Sequence, residues 1–180
     1  MTGSTPETLL AEGYQARREH RLADAEAHFA KAVDLCRKAG DRALLAQALT
    51  DSGRIERDLH RADAALKHYG DAADLYRSLD APLLLAHTIR HLADILQDQR
   101  KLDLAARHYK EALEIYRSHD ETPPLDLANA LRGLALLKGE TGDMEGAKNL
   151  WQEARGLYAA GDVQAGVAES DARIARLMER

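Results

Sequence analysis

Small and bulky apolar residues recur along the chain in a fixed order. Four stretches align without gaps: ADAEAHFAKAVDLCRKAGD ending at Asp41, DAALKHYGDAADLYRSLDA ending at Ala81, DLAARHYKEALEIYRSHDE ending at Glu121 and EGAKNLWQEARGLYAAGDV ending at Val163. In register, Phe29, Tyr69, Tyr109 and Trp151 form one column, spaced by 40, 40 and 42 residues. Ala25, Ala65, Ala105 and Ala147 stand four residues before the rings, and Ala32, Ala72, Ala112 and Ala154 three after. Positions i, i+4 and i+7 share one stripe of an α-helix, so each stretch reads as a helix that packs through a ring flanked by alanines. A further column, twelve residues before the first alanine, holds Gly13, Gly53, Ala93 and Ala135. Glycine inside a helix costs about 1 kcal/mol against alanine, so its place there predicts a close crossing of two helices.

The pattern predicts helix pairs. First helices are expected over 7–20, 42–58, 83–98 and 124–140, and second helices over 22–38, 62–79, 102–118 and 144–160. A final helix is expected from Asp162 to Glu179. The repeats are then 6–40, 41–80, 81–122 and 123–161, within a single domain spanning 1–180. Gly40-Asp41 and Gly161-Asp162 read as a C-terminal glycine followed by an N-cap aspartate. Asp80-Ala81-Pro82 and Thr122-Pro123-Pro124 place a cap donor before first-turn prolines. Thr141-Gly142-Asp143 is the clearest turn within a repeat, whereas the other three carry His20-Arg21, His60-Arg61 and Arg100-Lys101. The final helix, through Val167, Ala168, Ile174, Ala175 and Met178, is expected to shield the apolar edge of the last repeat.

A small residue, an alanine twelve positions on, then an aromatic and another alanine resembles the tetratricopeptide repeat, in the variety whose repeats run to 40–42 residues rather than the usual 34. The likeness runs from about Pro6 to the end of the chain. It implies an all-α fold, a right-handed α-solenoid of four helix-turn-helix repeats with a C-terminal capping helix. In such stacks the first helices line a concave face, so the resemblance places a peptide-binding groove at Tyr14, Arg17, Arg54, Arg57, His87, Arg90, His91, Asp94, Asn129 and Arg132. Arg173 and Arg176 join it from the final helix, and Leu10, Gln47, Thr50, Asp51, Asp58, Asp98, Leu136 and Glu140 are its neighbours.

Arginine forks suit carboxylates, so an acidic segment or a terminal carboxylate is the natural ligand class. Two readings stay open. Arg54 lies within helical reach of Asp51 and Asp58, and Arg90 of Asp94, so these groups can equally serve one another. Arg132 has no acid within a turn and is expected to be the ligand-facing cation. Family members that clamp the carboxylate of chaperone tails use a set of Lys, Asn and Arg; the matching places here hold Leu10, Tyr14, Asp51, His87 and His91, so that ligand is not implied.

Composition narrows the picture. A net charge of −5 with both signs interspersed argues against nucleic acid as a partner. No apolar run approaches the roughly 20 residues that span a bilayer, so no membrane association and a cytoplasmic location are expected. The single Cys36 excludes an internal disulfide and reads as an inert packed thiol. His87 and His91 have divalent-ion spacing with Asp94 and Asp98, but no third ligand is fixed elsewhere, so they read as solvated groove histidines and no metal is expected. His28, His68 and His108 form a structural column, and Tyr76, Tyr116 and Tyr158 are expected to pack between repeats with their hydroxyls outward. Phosphate-cradling, dinucleotide and nucleophile-elbow motifs are absent, so neither catalysis nor a cofactor is expected. The reading is an interaction adaptor for a peptide or protein. Its alternative is a self-associating scaffold, a homodimer, with a metal- or ligand-dependent regulatory module behind both.

Overall fold

The structure, a computed structural model, describes residues 4–179. They form nine α-helices and no strand. The chain divides into two compact units, with the boundary between Thr88 and Ile89. The first unit holds α1 (Pro6–Arg18), α2 (Leu22–Ala39), α3 (Arg42–Asp58), α4 (Ala62–Ser78) and the start of α5 (Pro82–Asp98). The second holds the rest of α5, α6 (Leu102–Arg117), α7 (Pro124–Thr141), α8 (Met144–Ala160) and α9 (Gln164–Met178). Within each unit, helices consecutive in sequence pack side by side: α1 on α2, α2 on α3 and α3 on α4, then α6 on α7, α7 on α8 and α8 on α9. Among the described residues no helix is long and apolar enough to cross a membrane.

The stripe read from the sequence is the core. All eight alanines that flank the rings have no exposed surface, and Phe29, Tyr69, Tyr109 and Trp151 are buried between them. The glycine column has the packing reason expected of it, and the neighbour is a ring. A Cβ on Gly13 would lie 2.5 Å from Phe29 Cε1, and one on Gly53 3.0 Å from Tyr69 Cδ2. Gly133 makes the same kind of room for Tyr109, at 2.4 Å from Cε1.

The turns share one geometry under different sequences. Gly40 and Gly142 adopt the left-handed conformation, and Asp41 and Asp143 then cap the next helix by accepting from Leu44 N and Gly146 N, each at 2.9 Å. His20, His60 and Arg100 take the same conformation at φ 59°, 59° and 62°. There the following amide reaches back to close the helix end: Arg21 N to Ala16 O at 2.9 Å, Arg61 N to Glu56 O and Lys101 N to Leu96 O at 2.8 Å. Three expected caps are corrected. Asp162 and Asp80 take the left-handed position at φ 54° and 52°, and Val163 is the N-cap of α9, because Val163 N closes α8 on Tyr158 O at 2.8 Å. Thr122 donates to Tyr116 O at 2.7 Å and leaves the cap of α7 to Pro123.

α9 packs on α8 as the expected cap, but the residues that make the contact differ from the apolar stripe. α9 docks on α8 through Gly166, which sits under the Tyr158 ring, and through Ser170, whose hydroxyl donates to Gly166 O at 2.7 Å. Ala168 and Ala175 stay exposed and Met178 is 69% exposed. In earlier first helices the corresponding stripe is covered by the second helix of the pair, and among the described residues α9 has none.

Gly13→Ala is therefore expected to destabilise the fold by about 1–3 kcal/mol, as overpacking against Phe29 outweighs alanine's better helix propensity. Gly70, on α4 with nothing within 4 Å of an added Cβ, gives the opposite sign: Gly70→Ala should stabilise by about 0.5–1 kcal/mol. Urea denaturation of the two variants beside the parent checks both signs.

Candidate binding face

In the first unit, the polar residues of α1, α3 and α5 that the sequence singled out are engaged with one another. Asp51 is almost fully buried on α3, and the Tyr14 hydroxyl from α1 donates to its Oδ2. Gln47 Nε2 donates to the same hydroxyl at 3.3 Å, and Arg54 Nη1 lies 3.6 Å from Asp51 Oδ1. Burial pushes the Asp51 carboxyl above the usual carboxylate range despite the Tyr14 hydrogen bond and the nearby Arg54, Arg17 and His87. The same burial, with the carboxylate beside it, pushes the Tyr14 phenol up to about 12. Arg17 Nε donates to Asp58 Oδ2 at 2.7 Å, tying α1 to α3, while Arg57 and His87 are half-buried.

The second unit repeats this economy. Arg90, with only 8% of its surface exposed, donates from Nη1 to Asp94 Oδ2 at 3.0 Å and places Nη2 at 2.8 Å from His91 Nε2. The Tyr109 hydroxyl donates to Asp94 Oδ1 at 2.7 Å. Burial alone would raise the Asp94 carboxyl, but His91, Arg90 and Tyr109 outweigh it and hold it below its ordinary value. His91 is thus a buried member of this network and not a solvated groove histidine, as the sequence had it. Arg132, expected to face a ligand unpaired, forms a two-pronged ion pair with Glu169 of α9, at 2.7 and 2.9 Å. Its acid lies 37 residues away, beyond anything helix spacing could reveal.

The tyrosine column also differs from expectation. Tyr76, Tyr116 and Tyr158 are buried, and their hydroxyls point into the helix pairs. Tyr158 OH donates to Asn129 Oδ1 at 2.8 Å, Tyr76 OH lies by Thr50, and Tyr116 OH is buried beside Arg90. A phenol buried to its tip needs a polar neighbour, and the first helices provide one.

Two adjoining cavities collect the predicted residues of the second unit. One, of about 260 Å³, is lined by Arg90, Asp94, Asn129 and Arg132 together with Gln97, Asp98, Tyr109, Gly133 and Leu136. The other, of about 610 Å³, shares Gln97 and Leu136 with it. Ala135, Leu136, Met144, Ala147, Trp151 and Leu177 give it apolar lining, and Arg173 and Arg176 of α9 line it as well. Neither arginine has an ion-pair partner among the described residues. Glu140, also on this cleft, is taken by Arg100 and by Gln97. Trp151 and Leu177 were not among the sequence-predicted binding residues: the ring was read only as core, and the place of Leu177 depends on how α9 docks. Among the described residues no group of three or more His, Cys, Asp or Glu side chains is placed to hold a metal ion.

A tetratricopeptide repeat family model matches residues 4–78 and 83–160. No curated protein matches the sequence. Among solved structures, the chain is similar to BtubC (BKLC) from P. vanneervenii at a TM-score of 0.79 and 19% identity, covering 90% of this chain and 68% of that one. It is also similar to the apo form of RapI at a TM-score of 0.83 and 14% identity, covering 92% of this chain and 60% of that one, less than two thirds of RapI's length. At these identities the likeness concerns the fold.

The Tyr14–Asp51 contact has a pH signature. A phenol whose pKa rises from 10.0 to about 12 on folding adds stability that is present below pH 10 and lost as the pH climbs through about 12. Denaturation midpoints measured across this range should fall more steeply for the parent chain than for Tyr14→Phe.

Proposed function

The chain belongs to the tetratricopeptide repeat family, a protein-interaction fold, and on that premise we propose that it is an adaptor binding an acidic polypeptide segment at the second-unit face built by α5, α7 and α9. The observation that carries this reading is the 610 Å³ cleft, where apolar side chains share the lining with two arginines that have no ion-pair partner among the described residues. A peptide there would bury an apolar side chain against Leu136 and Trp151 and bring a carboxylate to Arg173 or Arg176. The hydrophobic area supplies affinity and the arginine forks select for acid. Arg17, Arg54, Arg90 and Arg132 are each committed to an acid of this chain, so they shape the face more than they hold the ligand. A second reading, self-association through α9, draws on the exposed Met178, Ala168 and Ala175; sedimentation that shifts with protein concentration would favour it.

Fluorescence anisotropy with labelled peptides, each carrying one leucine or phenylalanine among acidic, neutral or basic residues, tests the proposal. The acidic set should bind preferentially and weaken with added salt. Arg173→Glu combined with Arg176→Glu should reduce its affinity at least about tenfold, some 1.4 kcal/mol, at unchanged helicity. Equal binding of all three sets, or indifference to the double substitution, would reject it.

A further inference from the structure

The first unit contains a cavity that the adaptor reading does not use. It measures about 300 Å³ and lies among α2, α3 and α4. Val33 and Ile55 line it as buried apolar residues, Ser52 and Glu56 as buried polar ones and His68 as a half-buried ring. In the same register α5 carries Leu92 and Leu96, both buried, while α1 carries Glu12 and Ala16 and α7 carries Leu134 and Lys138, so these positions accept polar and apolar residues alike. In α3 they bury a hydroxyl and a carboxylate, and the cavity opens beside them. A buried charge costs stability unless it is paired.

The carboxylate is incompletely served. Glu56 is 8% exposed, and its ion pair with Arg61 spans 3.5 Å, well beyond the 2.7–2.9 Å usual for a charge-assisted contact. Arg61 itself favours Glu26, at 2.8 Å. His68 lines the same cavity, its Nδ1 buried with no hydrogen-bond partner among the described residues, a state it shares with His28 and His108 of its column. Burial pushes the His68 imidazole below its ordinary value, so the ring is a neutral group able to accept or donate. Glu26 and Asp34 add negative charge at the walls, against Arg37.

We propose that this cavity binds an aliphatic ammonium group, with the cation held by Glu56 and its hydrocarbon chain lying along Val33 and Ile55. The volume is at the lower end of small-ligand pockets and accommodates an unbranched chain of the length found in a lysine side chain. The site is separate from the proposed peptide cleft, so either can fail without the other.

Titration of the full chain with n-pentylamine, followed by amide chemical shifts, tests it against n-pentanol, which has the same chain without the charge. The amine should give saturable shifts centred on Glu56 and His68, and the alcohol should bind at least about tenfold more weakly. Glu56→Gln should abolish that preference. Ser52→Leu with Glu56→Leu, the pair α5 carries, should fold at least as stably as the parent and lose the response. A lysine blocked at both backbone ends distinguishes the source of the ligand. If it matches pentylamine, the occupant is a side chain of a partner protein; if only the free amine enters, it is a small molecule, and the proposal stands either way. Equal response to amine and alcohol, no saturable response, or binding unaltered by both variants would overturn it.

Discussion

Each helix pair depends on one contact, a ring from the second helix seated on a residue of the first that is too small to obstruct it. Phe29 on Gly13 and Tyr69 on Gly53 are the clearest cases, with zero-exposure alanines on either side of each ring. The small residues allow the two helix axes to approach, and the ring fills the space that approach leaves. Because the contact fixes rotation as well as distance, it also decides which side of each first helix remains for polar residues. The candidate face is therefore a by-product of core packing.

That face is less charged in effect than in composition. Arg17, Arg54, Arg90 and Arg132 each meet a carboxylate of this chain, and Tyr14 and Tyr109 spend their hydroxyls on Asp51 and Asp94. Such pairs give modest stability where they are solvated, but they hold the first helices in register and neutralise charge that an apolar segment would otherwise have to desolvate. What is left over is specific: two arginines on α9 beside apolar lining in one unit, and a poorly paired buried carboxylate in the other.

The fold was legible because alanine and aromatic residues recur at helical spacing and a glycine in mid-helix demands a reason; Ala65, Tyr69 and Gly53 together already imply a tight helix pair. The face was legible only by position. Asn129, Arg132, Arg173 and Arg176 do line the second unit's cavities, but the pairing of Arg132 with Glu169 depends on how α9 docks, and that rests on Gly166 and Ser170 rather than on the apolar residues that draw the eye. Likewise His20, His60 and Arg100 occupy left-handed turn positions that glycine usually signals, so their turns had no sequence marker. Ser52 and Glu56 look like ordinary polar helix residues, and their burial beside a cavity depends on how α2, α3 and α4 pack.

The ring-on-small-residue contact can be measured directly with a double-mutant cycle on Gly53 and Tyr69, using Gly53→Ala, Tyr69→Leu and the combination, followed by urea denaturation. If the contact governs the pair, the added methyl is harmful only while the ring is present. The account then predicts that the double variant is more stable than the sum of the single effects by about 1 kcal/mol or more. Additivity within about 0.5 kcal/mol would contradict it and leave the small-residue column without its packing role.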